Sequence, residues 1–408
     1  MQTQRYKRLR TASMTRVPPK RKLKISTPDN IVFEGMEGTL GSRILSVGNE
    51  VELTTWKSKC IAFLSRNVMS DFTNKNQLKL IGVTLTQLNS RFKLIVEKAE
   101  KDLQSLNKEV KKIKNHATAK KVLEDIESYA YTDSNERGIK MIHVHILDQV
   151  VNKPLLFTPA SQQKFTEMSF LIKFWGPVIE LFFDPNRYFI QWGDTTSPYL
   201  SVSNFHFNLD FRVIIKDIHT DELDVATGEV AREASITSSK VNYDFLKSAL
   251  TTKAHLNAAL KRMPYITPTR IKDVVVPLVQ IMGLSCTLYG VNIIGKKVYT
   301  IQRICCFNYP STERELKGDA IKKMIEGFAQ MELMIKNIEA MITEYSRRPS
   351  HSMPNIKRGR KKNSNAKMID IDEYISPVIP SSQDDELVSE ENDNDEENNS
   401  EDESVEEE

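Results

Sequence analysis

Apolar residues fall into two long helical stripes with a block of alternating and continuous runs between them. The first stripe is Leu88, Phe92, Ile95, Ala99, Leu103, Leu106, Val110, Ile113 and Ala117. It steps by 3 and 4 with one stutter before Leu103. That period predicts a long amphipathic helix over 88–117. The second stripe is Ile321, Met324, Phe328, Met331, Ile335, Ile338, Ile342 and Tyr345, and it predicts a closing helix over 314–346. Ile325, Leu333, Met334 and Met341 widen this stripe beyond a two-stranded seam. Width favours packing on a sheet or helix pair over a free coiled coil. Arg347, Arg348 and Pro349 supply its stop.

Between the stripes, 164–183 reads as an apolar-rich helix interrupted at Gly176-Pro177. The run 188–192 reads as a strand closed by Gly193, and 205–215 alternates cleanly through Phe205, Phe207, Leu209, Phe211, Val213 and Ile215. A weaker strand covers 223–231, a helix 243–260, and three further strands 274–281, 284–289 and 297–307. This order predicts an α+β fold, a mixed β-sheet flanked by helices. The expected organisation is a disordered basic tail (1–30), a mixed N-terminal region (31–150), an α+β core (151–346), a basic linker (347–380) and a disordered acidic tail (381–408). The richest apolar run, 274–284, is too short to span a bilayer and contains Pro277 and Gln280, so no membrane partner is expected.

Charge changes the picture at the chain ends. The whole chain carries 57 Lys/Arg and 54 Asp/Glu. Since 381–408 holds 15 acidic residues and no Lys or Arg, residues 1–380 hold 57 basic against 39 acidic, a net +18. A basic body with an acidic counterweight suits a nuclear protein that handles polyanions. Lys7 and Arg8 precede Lys20, Arg21 and Lys22, with Pro18-Pro19 keeping the second cluster extended. Such spaced clusters resemble a bipartite import signal, which implies a nuclear import receptor as partner.

Lys357, Arg358, Gly359, Arg360, Lys361 and Lys362 put five cations into a short stretch with an Arg-Gly-Arg centre like that of an AT-hook. Lys361 stands where a hook has proline. The segment therefore reads first as an import signal, second as non-specific DNA contact and third as a hook. The acidic tail has too few apolar residues to fold alone. It is suited to competing with DNA for the body, to contacting histones, or to solubility alone.

Chemistry-bearing motifs are few. No Gly-rich phosphate loop, HExxH, GxSxG or kinase set is present. His143 and His145 would share one face of a strand, but a metal site needs more ligands. Cys60, Cys286, Cys305 and Cys306 show no paired spacing, which argues against a disulfide framework or zinc module.

The acidic residues Glu180, Asp210 and Glu229 fall on the first core helix and on the second and third core strands. The order helix, three strands, helix, strand resembles the PD-(D/E)XK nuclease core. That resemblance implies that Glu180, Asp210 and Glu229 act as catalytic ligands of a divalent ion, Mg²⁺. The Glu-x-Lys pair of that family is absent, because Ala231 stands two residues after Glu229. Arg232, Lys240 and Lys247 are substitutes at other spacings.

Five stretches recur together: Lys173-Phe174-Trp175-Gly176-Pro177, Trp192-Gly193-Asp194-Thr195, Asp210-Phe211-Arg212, Gly228-Glu229-Val230-Ala231, and Asp244 with Lys247 and Lys253. In this order, over about 165–290, the chain is similar to an uncharacterised protein family expanded in early-diverging fungi. That likeness implies one domain and carries no activity.

Three readings of function follow. The first is a nuclear DNA- or chromatin-associated protein. The second is a Mg²⁺-dependent nuclease or its inactive descendant. The third is an interaction module that uses the helical stripes.

Overall fold

A computed structural model of the chain describes residues 29–94, 96, 104–200, 207–216, 222–232, 238–347 and 368–379. The fold is α+β, as the element order predicts. Its centre is a seven-stranded mixed sheet ordered β1-β7-β6-β5-β4-β3-β2. Strands β2 (Tyr188–Thr196), β3 (Asn208–Ile215) and β4 (Leu223–Ala231) form an antiparallel meander. Helix α11 (Ser238–Lys261) then crosses over to β5 (Val276–Met282), which runs parallel to β4. Strands β6 (Ser285–Gly295) and β7 (Val298–Asn308) continue antiparallel, and β1 (Met69–Asp71) closes the edge parallel to β7.

One face of the sheet is lined with buried aromatic rings. Helix α13 (Ala320–Tyr345) lies there, and the ring of its Phe328 meets Phe307 at 5.2 Å and Trp175 at 6.4 Å. The wide stripe read from the sequence is buried in this chain's own core. Each large apolar side chain buried in this way contributes about 1.5–3 kcal/mol. Short helix α12 (Glu313–Lys317) precedes α13, and the chain breaks between them at Gly318 and at Asp319, whose φ is +63°.

The segment before β2 shows how Gly176-Pro177 acts. Helix α9 (Glu167–Phe170) opens into a π-helical turn, Leu171–Trp175, before α10 (Gly176–Phe182) resumes. Gly176 N–H reaches back five residues to the Leu171 carbonyl. Pro177 has no N–H for the Lys173 carbonyl, and the side chain of His145 hydrogen-bonds that carbonyl instead. His145 and His143 lie on helix α7 (Ser134–Asn152), not on a strand. Buried His143 is held by the Ile139 carbonyl at 2.8 Å.

The expected continuous helix over 88–117 is absent. Helix α4 (Leu85–Phe92) stops because Gln302 on β7 pairs with its backbone. The Gln302 amide donates to the Phe92 carbonyl and its oxygen accepts from Leu94 N–H, at 2.8 and 2.9 Å. The chain turns helical again in α5 (Gln104–Val110) and then in α6 (His116–Ser128), where a capping box of Asn115 and Thr118 starts a new helix. Leu88, Leu106, Val110 and Ile113 of the predicted seam are buried in the protein's own clusters. One of these clusters runs through both sides of the boundary at 150.

The expected linker 347–380 also contains structure. Residues 368–379 fold back along α11 as a strap that buries Ile375 and Val378. Asn257 of α11 donates to the Ser376 carbonyl at 2.8 Å. Lys253 donates to the Pro377 carbonyl at 3.0 Å and to Asn67. Among the described residues no helix is long and apolar enough to cross a membrane.

Candidate functional site

On the face opposite α13, strands β3 and β4 and helix α11 enclose a layer of polar groups. Pairing Phe211 with Gly228 puts Arg212 and Thr227 on the α11 side. Strand alternation then sends Asp210 and Glu229 to that side as well. Two ionic clusters result, one at each end of the β3–β4 pair.

The first cluster pairs its charges internally, although buried His255 Nδ1 has no partner. Arg212 Nη1 donates to both oxygens of Asp224, at 2.9 and 2.7 Å, while its other nitrogens reach Thr195 Oγ1 and Gln191 Oε1. Ser197 Oγ lies 2.8 Å from both Asp224 Oδ2 and His255 Nε2. Burial disfavours the Asp224 anion, but His255, Arg212 and Ser197 outweigh it and hold its pKa down at about 2. Serine, histidine and aspartate meet here, yet the carboxylate contacts the same imidazole nitrogen as the serine. A nucleophilic triad needs its carboxylate on the other nitrogen, so this cluster is structural.

The second cluster is not balanced. Asp210 Oδ2 accepts from Val230 N–H at 2.6 Å, just beyond the last β3–β4 ladder pair. Glu229 is 3% exposed, and its Oε2 lies 3.0 Å from Lys247 Nζ. Lys247 also faces Asp244 Oδ1 at 3.6 Å, one helical turn earlier on α11. At the rim, Lys240 pairs with Glu167 of α9 at 2.5 Å. Glu229 lies within hydrogen-bonding reach of Asp210, and its buried Oε1 has no donor.

The six groups comprise four acids and two lysines, an excess of two negative charges when all are ionised. Burial, reinforced by Asp210 and Asp244, pushes the Glu229 pKa well up against the pull of Lys247. Burial likewise raises Asp210 against the Val230 N–H, and raises Asp244 to about 6. Burial works against the charge of Lys247, but Glu229 and Asp244 outweigh it and raise its pKa.

Of the three sequence-derived site residues, the fold brings Asp210 and Glu229 together and leaves Glu180 out. Glu180 accepts from Trp192 Nε1, whose ring packs on Phe211 at 5.1 Å. Phe211 and Asp210 point to opposite faces of β3, so Glu180 belongs to the aromatic face and corrects the proposed three-carboxylate set. The site gains Glu167, Asp244 and Lys247 instead. Of the substitutes named from the sequence, Lys247 reaches Glu229. Its spacing from Asp244, three residues along a helix, is the signal that pairs them.

Among the described residues no three Asp, Glu, His or Cys side chains converge tightly enough to enclose a metal ion. The import residues Lys7, Arg8, Lys20, Arg21 and Lys22, and the basic run Lys357 to Lys362, lie outside the described residues. No family model, curated protein or solved structure matches the chain.

Proposed function

We propose that the chain is a Mg²⁺-dependent phosphodiester hydrolase acting on nucleic acid. The observation that carries this reading is the Asp210–Glu229 carboxylate pair, buried with excess negative charge and with Lys247 at 3.0 Å. The donor set fits the ion. Mg²⁺ is commonly held by one or two carboxylates, keeping water and substrate oxygens as its other ligands. The undonated Glu229 Oε1 supplies a hard oxygen for it. Asp210 and Glu229 would hold the ion, which when bound activates water and offsets charge on the phosphate.

Lys247 offers its ammonium to the charge that develops on the phosphoryl oxygens. The Val230 N–H fixes the orientation of Asp210. The order α9–α10, β2, β3, β4, α11, β5, with β4 parallel to β5, agrees with the nuclease-like order read from the sequence. Of the net +18 of residues 1–380, +16 lies in 1–28 and 348–367, so the charge that favours a polyanionic partner sits in those two segments.

The test is cleavage of duplex DNA, single-stranded DNA and RNA with Mg²⁺ against EDTA. Asp210→Asn and Glu229→Gln should each lower kcat/KM by at least about 100-fold, the loss expected when a group acting on the reacting centre is removed. An inactive wild-type protein overturns the reading.

A second reading, favoured by the charge pattern, is a nuclear DNA- or chromatin-associated protein without catalysis. It would be imported through its basic clusters, with the acidic tail competing against DNA. Both flanks of 348–367 are fixed at one place, since Tyr265 N–H bonds the Tyr345 carbonyl and Ile369 N–H bonds the Pro264 carbonyl. Binding without cleavage, with a log affinity against log salt slope of about −4 to −5, would establish this reading in place of the first.

A further inference from the structure

Lys247 has two carboxylates within reach and stands closer to the buried one. Its Nζ is 3.0 Å from Glu229 Oε2 and 3.6 Å from Asp244 Oδ1. The two acceptors come from different elements, β4 and the first half of α11. The Tyr243 ring lies 5.7 Å from the same ammonium. Glu229 and Asp210 would repel one another across the strands without a cation, and Lys247 is the cation the fold itself supplies. A divalent ion held by Asp210 and Glu229 would meet that ammonium as a like charge at close range. Only Asp244 offers Lys247 a second anionic contact on its own helix.

We propose that Lys247 is the resident counter-ion of the Asp210–Glu229 pair, and that a divalent cation enters the site by displacing it from Glu229 onto Asp244. Asp244 is then a positioning residue that acts through Lys247. The inference rests on the metal-site reading above, and its test separates the two.

Titration calorimetry with Mn²⁺ on the full chain reads affinity independently of turnover. Lys247→Met removes the competing charge and should tighten Mn²⁺ binding by about tenfold, given the strength of like-charge repulsion at such distances, while abolishing cleavage. Asp244→Asn should weaken binding several-fold in the wild-type background. In the Lys247→Met background it should have no further effect, because no ammonium remains to be parked. If Asp244 merely added to the negative field, it would weaken binding equally in both backgrounds, and the positioning role would be overturned.

Lys247→Arg covers the case in which Lys247→Met does not fold. A guanidinium grips a carboxylate in bidentate fashion, so Mn²⁺ affinity should fall below that of the wild type. Equal or tighter binding by Lys247→Arg contradicts displacement. Mn²⁺ binding that Lys247→Met leaves unchanged or weakens overturns the counter-ion proposal and leaves the metal site standing. No Mn²⁺ binding by wild type or variants overturns both.

Discussion

The two ionic clusters on β3 and β4 share strands, burial and a partner helix, yet they differ in balance. Around Arg212 each nitrogen of the guanidinium meets an acceptor and Asp224 is held ionised, with His255 Nδ1 the atom left unpartnered. Around Glu229 the carboxylates outnumber the lysines, an oxygen is left without a donor, and burial pushes the pKa values of the acids up against the pull of Lys247. Buried ion pairs are weak sources of net stability but are costly to break one-sidedly. The charge-paired cluster is therefore a fixture of the fold. The open one is tolerated at a cost in stability, as sites prepared for a ligand often are.

The sharpest way to break this comparison is to remove one partner from each cluster. Arg212→Met strands Asp224 in the interior and should cost about 3–5 kcal/mol in chemical denaturation. Glu229→Gln takes the nearer anion from buried Lys247 but leaves Asp244 at 3.6 Å, so it should cost less, about 1–2 kcal/mol, while removing the proposed cleavage. Equal losses in the two variants would erase the distinction.

The pH dependence of stability should divide in the same way. Asp224 has a folded pKa near 2 against an ordinary 3.8, so its stabilisation is present above 3.8 and is lost as pH falls toward 2. Asp244 has the opposite sign. Its folded pKa of about 6 exceeds the ordinary 3.8, so the unfolded carboxyl ionises first and stability declines as pH rises between those values. Each effect is on the order of 2 kcal/mol. Urea midpoints measured from pH 2 to 7 should show a smaller acid-side fall in Asp224→Asn and a smaller rise-side fall in Asp244→Asn, the rest of the latter belonging to Asp71, Asp210 and Glu229, which burial also raises. A slope left unchanged in its variant would assign it to another group.

The smallest expected effect is at Glu180. Glu180→Ala should stay within about 0.5 kcal/mol of wild type in stability, as surface changes do, and within about twofold in cleavage. A large loss of cleavage would return this residue to the site.

Much of the core was legible because period reports burial. The strand read over 223–231 is β4, and the alternation through Phe211, Val213 and Ile215 describes β3. Asp210 and Glu229 were singled out by the resemblance of the element order to a nuclease core, on strands that the apolar pattern had located. Glu180 was misplaced because a π-helical turn separates α10 from α9, and the sequence shows only a glycine and proline where the helical register changes. Lys247 was hard to find because the catalytic-lysine position was sought two residues after Glu229 along β4. The fold supplies it from a crossover helix instead.

By itself the sequence determined the fold class, six of the seven strands and the wide apolar face of α13, since these depend on local period and total apolar content. It also determined the asymmetry of charge between the body and the final 28 residues. Tertiary structure alone decided that 88–117 is broken, because the stop is the side chain of Gln302, more than two hundred residues away. It decided as well that 368–379 is a strap, through contacts with Asn67, Lys253 and Asn257. Which acids share a site with Lys247 was settled in the same way, by which face of the sheet each element presents. Those outcomes depend on pairings between distant residues, and no local pattern encodes them.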